Sequence, residues 1–455
     1  MSWSAVAVAL PSIFQLLFFA AVGACIGSLT NVLAYRMPRG LNVVLPASRC
    51  PSCRTKLTWR ENIPIFGWIL LRGRCRFCDV RVSAEYPIVE SIVAALFAVF
   101  FAIWYLVPRD AVFLGLELGE IAPVWTRNGL LTTWPAFVAL LFLLGSLVAM
   151  TIIDARTYTI PLVLTWVPAA AAAILHTANA AWFTLDHGPL RAVAASETGP
   201  AFFLAADGAR WVTTRGWTWT LATPSPAHWG WIGAGLGGVL GIAVSLLLVR
   251  LGLVRRSFAD YDEWEQQALA EAEAAQATKT GDTPDTDAAQ LWIQYPHARR
   301  EMVIEAAFAS PIAIGMIGGG YLLPRIAPAA DAPLWLAVLG GVLLGYLIGG
   351  GAVWAVRIFG SLAFDKEAMG MGDVHLMAAV GACCGWIDSL LGFFGAAFVG
   401  LAYTLAALIV GGRLKRAMPF GPFLAVSTVL VLLGKPWIEE ALTSMLHAAS
   451  RVDLP

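Results

Sequence analysis

The sequence predicts an all-α polytopic membrane protein with about eight to ten transmembrane helices, and three observations predict it. Of its 455 residues, 58% are hydrophobic and 13% charged, with a mean hydropathy of +0.71; a soluble domain carries about 25% charged residues. The apolar residues are gathered into runs near the ~20 residues that let a helix cross a bilayer. Lys and Arg fall mainly in alternate loops. Net charge is zero, which predicts no nucleic-acid partner.

Taken in order, the first run is 11–35, within a first segment 1–35. Val22-Gly23-Ala24-Cys25 looks faintly like a lipoprotein cleavage site, but basic residues follow the run instead of preceding it, so an uncleaved first helix is expected. A basic, cysteine-bearing loop occupies 36–85. Spans at 86–107, 134–153 and 160–177 make up a block at 86–177. Residues 178–229 are rich in Trp, Thr and Pro. A span at 230–252 follows, and 253–303 turn from basic to acidic and Ala-rich, ending in a polar stretch at 280–285; this reads as a short amphipathic helix and a flexible linker. The block 304–434 carries spans at 304–323, 333–356, 374–388, 389–411 and 419–434, with a tail at 435–455. Ten alternating crossings place 22 Lys and Arg on the side of the cysteine loop and 8 on the other. The positive-inside rule makes that side cytoplasmic and puts both termini outside. No internal repeat is visible.

Cys50-Pro51-Ser52-Cys53 and Cys75-Arg76-Phe77-Cys78 are separated by 21 residues. Two such pairs predict a small zinc-ribbon-like module, each tight turn aiming two thiolates at one point and the four closing a structural tetrahedral site. Disulfides or unliganded thiols are the alternatives; the basic flanks place the loop in the cytosol, where disulfides are disfavoured. Cys25, Cys383 and Cys384 lie in apolar runs and read as packing residues, and the six histidines show no metal-ligand spacing.

Carboxylates in membrane segments are rare and usually functional. Asp154 ends one apolar run, and Asp373, in Gly370-Met371-Gly372-Asp373, precedes another; both fall at the cytoplasmic membrane edge. Two carboxylates held close share a proton, so one can activate water while the other protonates the carbonyl or leaving amine. Spacing alone favours two unrelated, solvated helix-end acids over this pair. Glu90, one turn into its span beside Glu85, reads as facing a polar cavity or as pairing with an Arg. Asp388 reads as a solvated turn residue, and Glu301 and Glu305 as acids favouring a helix N-terminus.

Further segments accompany these residues in order: Gly27-Ser28-Leu29-Thr30-Asn31-Val32, Tyr35-Arg36-Met37-Pro38, Ser48-Arg49-Cys50-Pro51, Glu61-Asn62-Ile63-Pro64, Arg72-Gly73-Arg74-Cys75-Arg76, Tyr86-Pro87-Ile88-Val89-Glu90, Asp154 with Ile160-Pro161, the G-x-G-D segment ending at Asp373, and Pro419-Phe420-Gly421-Pro422-Phe423. Together they resemble the bacterial type IV prepilin peptidase family, also called leader peptidase/N-methyltransferase, over roughly 11–177 and 304–434. The resemblance implies an aspartic endopeptidase of the inner membrane, with Asp154 and Asp373 catalytic. Its substrates would be prepilins or pseudopilins whose basic leader ends in Gly before an apolar helix, cleaved at the cytoplasmic face. In many members S-adenosylmethionine-dependent N-methylation follows, and the cysteine module accompanies those longer, bifunctional members. No nucleotide-type glycine loop is visible, so no residue is assigned to S-adenosylmethionine. Against the family pattern, 178–303 form an insertion with one added crossing, and 304–323 is either a second added crossing or a family helix. His375 stands where members commonly carry Lys, and Leu162 where a polar residue is common. Two other readings stand beside this one: a catalytically silent assembly factor of a pilus or type II secretion system, and a membrane transporter with a zinc module. Against the transporter, the chain has no repeated halves and few polar residues within its spans.

Overall fold

Apolar runs become helices here because a bilayer leaves backbone groups no partner but their own chain. In the computed structural model, which describes residues 3–113, 116–193, 202–212, 228–277, 295–327, 332–410, 418–447 and 454, the chain is an all-α polytopic membrane protein. Its helices are α1 (Trp3–Arg36), α2 (Phe66–Leu70), α3 (Glu85–Phe101), α4 (Leu130–Thr157), α5 (Leu162–His187), α6 (His228–Arg250), α7 (Tyr261–Ala277), α8 (Ala298–Ile326), α9 (Leu334–Phe364), α10 (Met371–Cys384), α11 (Trp386–Ile409) and α12 (Gly421–Met445). Among the described residues, nine helices are long and apolar enough to cross a membrane: all of these except α2, α7 and α10.

The run expected to span at 374–388 is α10, 14 residues long. At 1.5 Å per residue it covers about 21 Å, short of a hydrocarbon core of about 30 Å. Gly385, at φ 98°, ends it in a backbone conformation that glycine adopts without strain, and α11 starts at the next residue. Of the α10 residues from Asp373 to Cys383, all but His375 are buried. It is thus a short inner helix enclosed by others, packing against α9, α5, α11, α4 and α12.

α4 is the other central helix, and both faces of its inner half are covered, as the burial of Leu140, Leu143, Leu144, Leu147, Met150 and Ile153 records. α1 lies against α3 and α4, and α11 against α12. At one edge, α6 and α8 run antiparallel with their backbones nearly touching. A side chain on Gly233 or Gly237 would run into the carbonyls of Gly319 or Gly315, so only glycine permits the approach. This pair packs on α9.

The stretch 178–229, read as an outer loop, contributes a small antiparallel sheet of Leu190–Val193, Phe202–Ala205 and Arg210–Val212. Its Phe203 is buried against Phe183 of α5 and Val338 of α9. The polar stretch 280–285 and the cationic residues Arg413, Lys415 and Arg416 lie outside the described residues. Cys25, read as a packing residue, is exposed on α1; Cys383 is buried.

Candidate active site and metal centre

α4 ends one turn beyond Asp154: Tyr158 takes a left-handed conformation, φ 54°, and its N–H donates to the Asp154 carbonyl at 2.9 Å. The chain then passes through Ile160 and Pro161 into α5. Asp373 sits in the first turn of α10, its N–H donating to the Gly370 carbonyl at 3.2 Å. The first residue of α12 closes the site: the Gly421 N–H donates to Asp154 Oδ2 at 3.0 Å. A helix N-terminus suits this role, because its first N–H groups have no partner in the helix.

Both acids are buried, Asp154 at 6% and Asp373 at 7% exposure. Ile160 wedges between the segments. A Cβ on Gly372 would come within 2.8 Å of the Ile160 side chain, and one on Gly421 within 2.6 Å of Asp154 Oδ2. Glycine at both positions is therefore a condition for bringing the two acids together. Sequence reading paired the acids but assigned Gly421 no role; its only signal was its place in the Pro419-Phe420-Gly421-Pro422-Phe423 segment.

Other acids sit differently from their sequence readings. Glu90 is buried, and its Oε2 accepts the Ile65 N–H at 2.6 Å, which ties the cysteine loop to α3. Glu85 pairs with Arg156, joining the start of α3 to the end of α4. Asp388 is no solvated turn residue. It is 1% exposed and accepts Lys435 Nζ at 2.8 Å, because the α10–α11 turn lies inside the bundle beside α12. Glu301 and Glu305 do open α8, but both are buried, and they accept hydrogen bonds from Phe258 and Arg357 respectively.

The four cysteines converge. Their sulfurs all lie within 4.8 Å of one another, Cys50 and Cys78 at 3.8 Å. Tetrahedral zinc with bonds of about 2.3 Å places its sulfurs about 3.8 Å apart, so the residues fit a metal ion of this kind. Each pair is carried on the same turn, repeated 25 residues on, a local repeat that side-chain identity hides. Cys50 N–H donates to Thr55 as Cys75 does to Val80; Arg54 N–H donates to Cys50 as Asp79 does to Cys75. Arg54 and Asp79 both have φ 58°. Hydrogen bonds from Thr55 lower the Cys53 thiol to about 6, and backbone N–H groups of Phe77 and Cys78 lower Cys75. Cys78, despite a hydrogen bond from Val80, is pushed up to about 12 by desolvation and the neighbouring sulfurs. Such crowding of sulfurs is what a bound dication relieves. Beside the turns, Glu61 accepts from the Thr58 N–H and hydroxyl and from Arg76; these bonds, Thr58 first, hold it down to about 2.

Residues 21–104 match the family model described as bacterial peptidase A24 N-terminal domain, and residues 307–405 match the type IV leader peptidase family. The first segment contains the four cysteines and the second contains Asp373; Asp154 lies between them. A prepilin leader peptidase/N-methyltransferase of Myxococcus xanthus is 46% identical over 80 residues, covering 18% of this chain and 24% of that protein. One from Vibrio cholerae is 35% identical over 99 residues, 20% of this chain and 38% of that protein. One from Neisseria gonorrhoeae is 29% identical over 167 residues, 31% of this chain and 49% of that protein. The chain thus spans between about a quarter and a half of the length of these curated relatives. No solved structure matches it.

Proposed function

We propose that the chain, whose residues 21–104 and 307–405 match the models of the bacterial peptidase A24 N-terminal domain and the type IV leader peptidase family, cleaves the leader of type IV prepilins or pseudopilins, using Asp154 and Asp373. One observation carries the reading: three separate chain segments, ending α4 and opening α10 and α12, bring two buried carboxylates and one backbone donor together. The membrane would be the bacterial inner membrane, with the site on its cytoplasmic side, in keeping with the Lys and Arg distribution.

In this reading the two acids share one proton. The Gly421 N–H stabilises negative charge on Asp154 Oδ2 and so disfavours a proton on that oxygen. The proton rests on Asp154 Oδ1 or on Asp373. The unprotonated carboxylate takes a proton from water as it attacks the scissile carbonyl, while the protonated one gives its own to the carbonyl oxygen; as the tetrahedral intermediate collapses, the first acid passes the proton it took to the leaving amine and the second takes one back from the intermediate's hydroxyl. Burial of both acids keeps the exchange out of bulk water.

The division of the chain follows the same reading: a metal module at 36–85, catalytic helices at 86–177 and 304–434, and an insertion at 178–303. Cys50, Cys53, Cys75 and Cys78 would hold a structural zinc, which supplies no chemistry to cleavage but fixes the cytoplasmic loop. N-methylation of the new N-terminus by S-adenosylmethionine is the second half of the proposal. It rests on the names of the relatives and on the cysteine module, and no residue of this chain is assigned to that cofactor.

The test is co-expression with a prepilin, followed by mass spectrometry, which reports cleavage and methylation together. Asp154→Asn and Asp373→Asn are each expected to insert normally and to lower cleavage at least about a hundredfold, as loss of an acid or base does. Near-normal processing by either variant removes that residue from the pair.

A further inference from the structure

Asp373 is reached from α9 through the loop 365–370, so whatever fixes that loop fixes the acid. The loop is tied to α9 at successive residues. Arg357 Nη1 donates to Glu367 Oε1 at 2.5 Å and to the Met369 carbonyl. Ser361 Oγ accepts the Ala368 N–H at 2.9 Å. Arg357 is 2% exposed, and its guanidinium is held from behind by Glu305 of α8, Nε and Nη2 donating at 3.1 and 3.0 Å. Glu305, 3% exposed, also accepts the Trp354 indole N–H at 2.8 Å. A charge at this depth is costly unless paired, and in membrane proteins usually functional. The planar fork of Arg meets Glu305, Glu367 and Met369 at once, which a Lys ammonium on its thinner stem does not.

The inserted cytoplasmic segment closes the outer side. The Phe258 ring lies 5.6 Å from the Arg357 guanidinium, and its N–H donates to Glu301 Oε2 at 2.6 Å. Asp260 accepts from the Tyr295 hydroxyl at 2.7 Å and from Arg300 at 2.8 Å, and Trp264 packs edge-on against Tyr295 at 5.1 Å.

We infer that Arg357 is a positioning residue for leader cleavage: it clamps residues 367–369 and so sets Asp373 against Asp154, with Phe258 of the insertion sealing the clamp. The inference rests on the reading of Asp373 as catalytic.

The test uses the purified full-length protein in detergent and a synthetic prepilin peptide with a basic leader ending in Gly before an apolar helix. Glu367 is half-exposed, and Glu367→Gln leaves Arg357 paired with Glu305, so this variant keeps its fold. Its kcat is expected to fall about tenfold with KM unchanged, within the ~100-fold that a misplacement of about 1 Å produces. Arg357→Lys keeps the charge, loses the fork, and is expected to fall further. In the double variant Arg357→Met with Glu305→Gln, both buried charges are gone, a change that often preserves stability; wild-type thermal stability with kcat still depressed is expected. Wild-type kcat in Glu367→Gln and Arg357→Lys, or recovery of cleavage along with stability in the double variant, overturns the inference. Asp373→Asn is assayed alongside: if it cleaves normally, the catalytic reading itself fails, which no result with the Arg357 variants would mimic.

Discussion

At the scale of single residues, Gly421 carries more of the site than its chemistry suggests. It has no side chain to contribute, and that is its use: the α12 N-terminus approaches Asp154 closely enough for its N–H to donate at 3.0 Å. A methyl group there would stand 2.6 Å from Asp154 Oδ2. Gly421→Ala therefore has to push the carboxylate or the helix aside. Cleavage is expected to drop about ten- to hundredfold, while insertion and thermal unfolding stay near wild type, because the strain is confined to one contact. A kinetic comparison with wild type on the same prepilin checks this, and an unchanged rate would show that Asp154 tolerates displacement. Glu90 follows a related logic. Buried at the start of α3, it is satisfied by a backbone N–H of the cysteine loop, so it joins two parts of the chain.

At the scale of elements, the cysteine loop and α10 are stabilised in opposite ways. α10 is 14 residues long and owes its place to enclosure by other helices. The cysteine loop has little secondary structure beyond α2 and two isolated bridges, Arg49 with Lys56 and Arg74 with Arg81. With so small a core, a metal held by the four sulfurs would add to its order, and metal binding would then be coupled to folding. Metal analysis of the purified protein is expected to give one zinc per chain, and Cys50→Ser with Cys53→Ser to lose it and to make 36–85 sensitive to protease. Methylation is expected to suffer more than cleavage, because the aspartates stand on other elements. Stoichiometric metal in the double variant would rule out this ligand set.

At the scale of the whole molecule, described parts of the insertion touch the rest of the chain. α6 lies against α8 and α9, and residues near Phe258 and Tyr295 cover the Arg357 cluster. Between them, Gln266, Gln267 and Glu271 of α7 are exposed and polar. Replacing 266–290 by a Gly/Ser linker spares Phe258, Trp264, Tyr295 and Arg300, and cleavage is expected to persist. Two linker lengths should be compared, because a flexible chain spans a distance that grows only with the square root of its length. If both proteins insert well and neither cleaves, the segment takes part in handling the leader.

The sequence by itself determined the class of molecule, because hydropathy, helix length and the placing of Lys and Arg are local properties that a bilayer enforces wherever the runs occur. It also marked Asp154, Asp373 and the four cysteines, since a lone acid beside an apolar run and a repeated C-x-x-C are unusual in composition alone. What only the tertiary structure decided was partnership. Asp388 with Lys435, Glu305 with Arg357, and Gly421 with Asp154 lie 47, 52 and 267 residues apart. No periodicity relates such residues, and their pairing follows from which helix ends the packing brings to the same depth. The length of α10 shows the same limit. Its hydropathy is that of a spanning helix, and only its enclosure by neighbouring helices explains how a segment of that length stays buried.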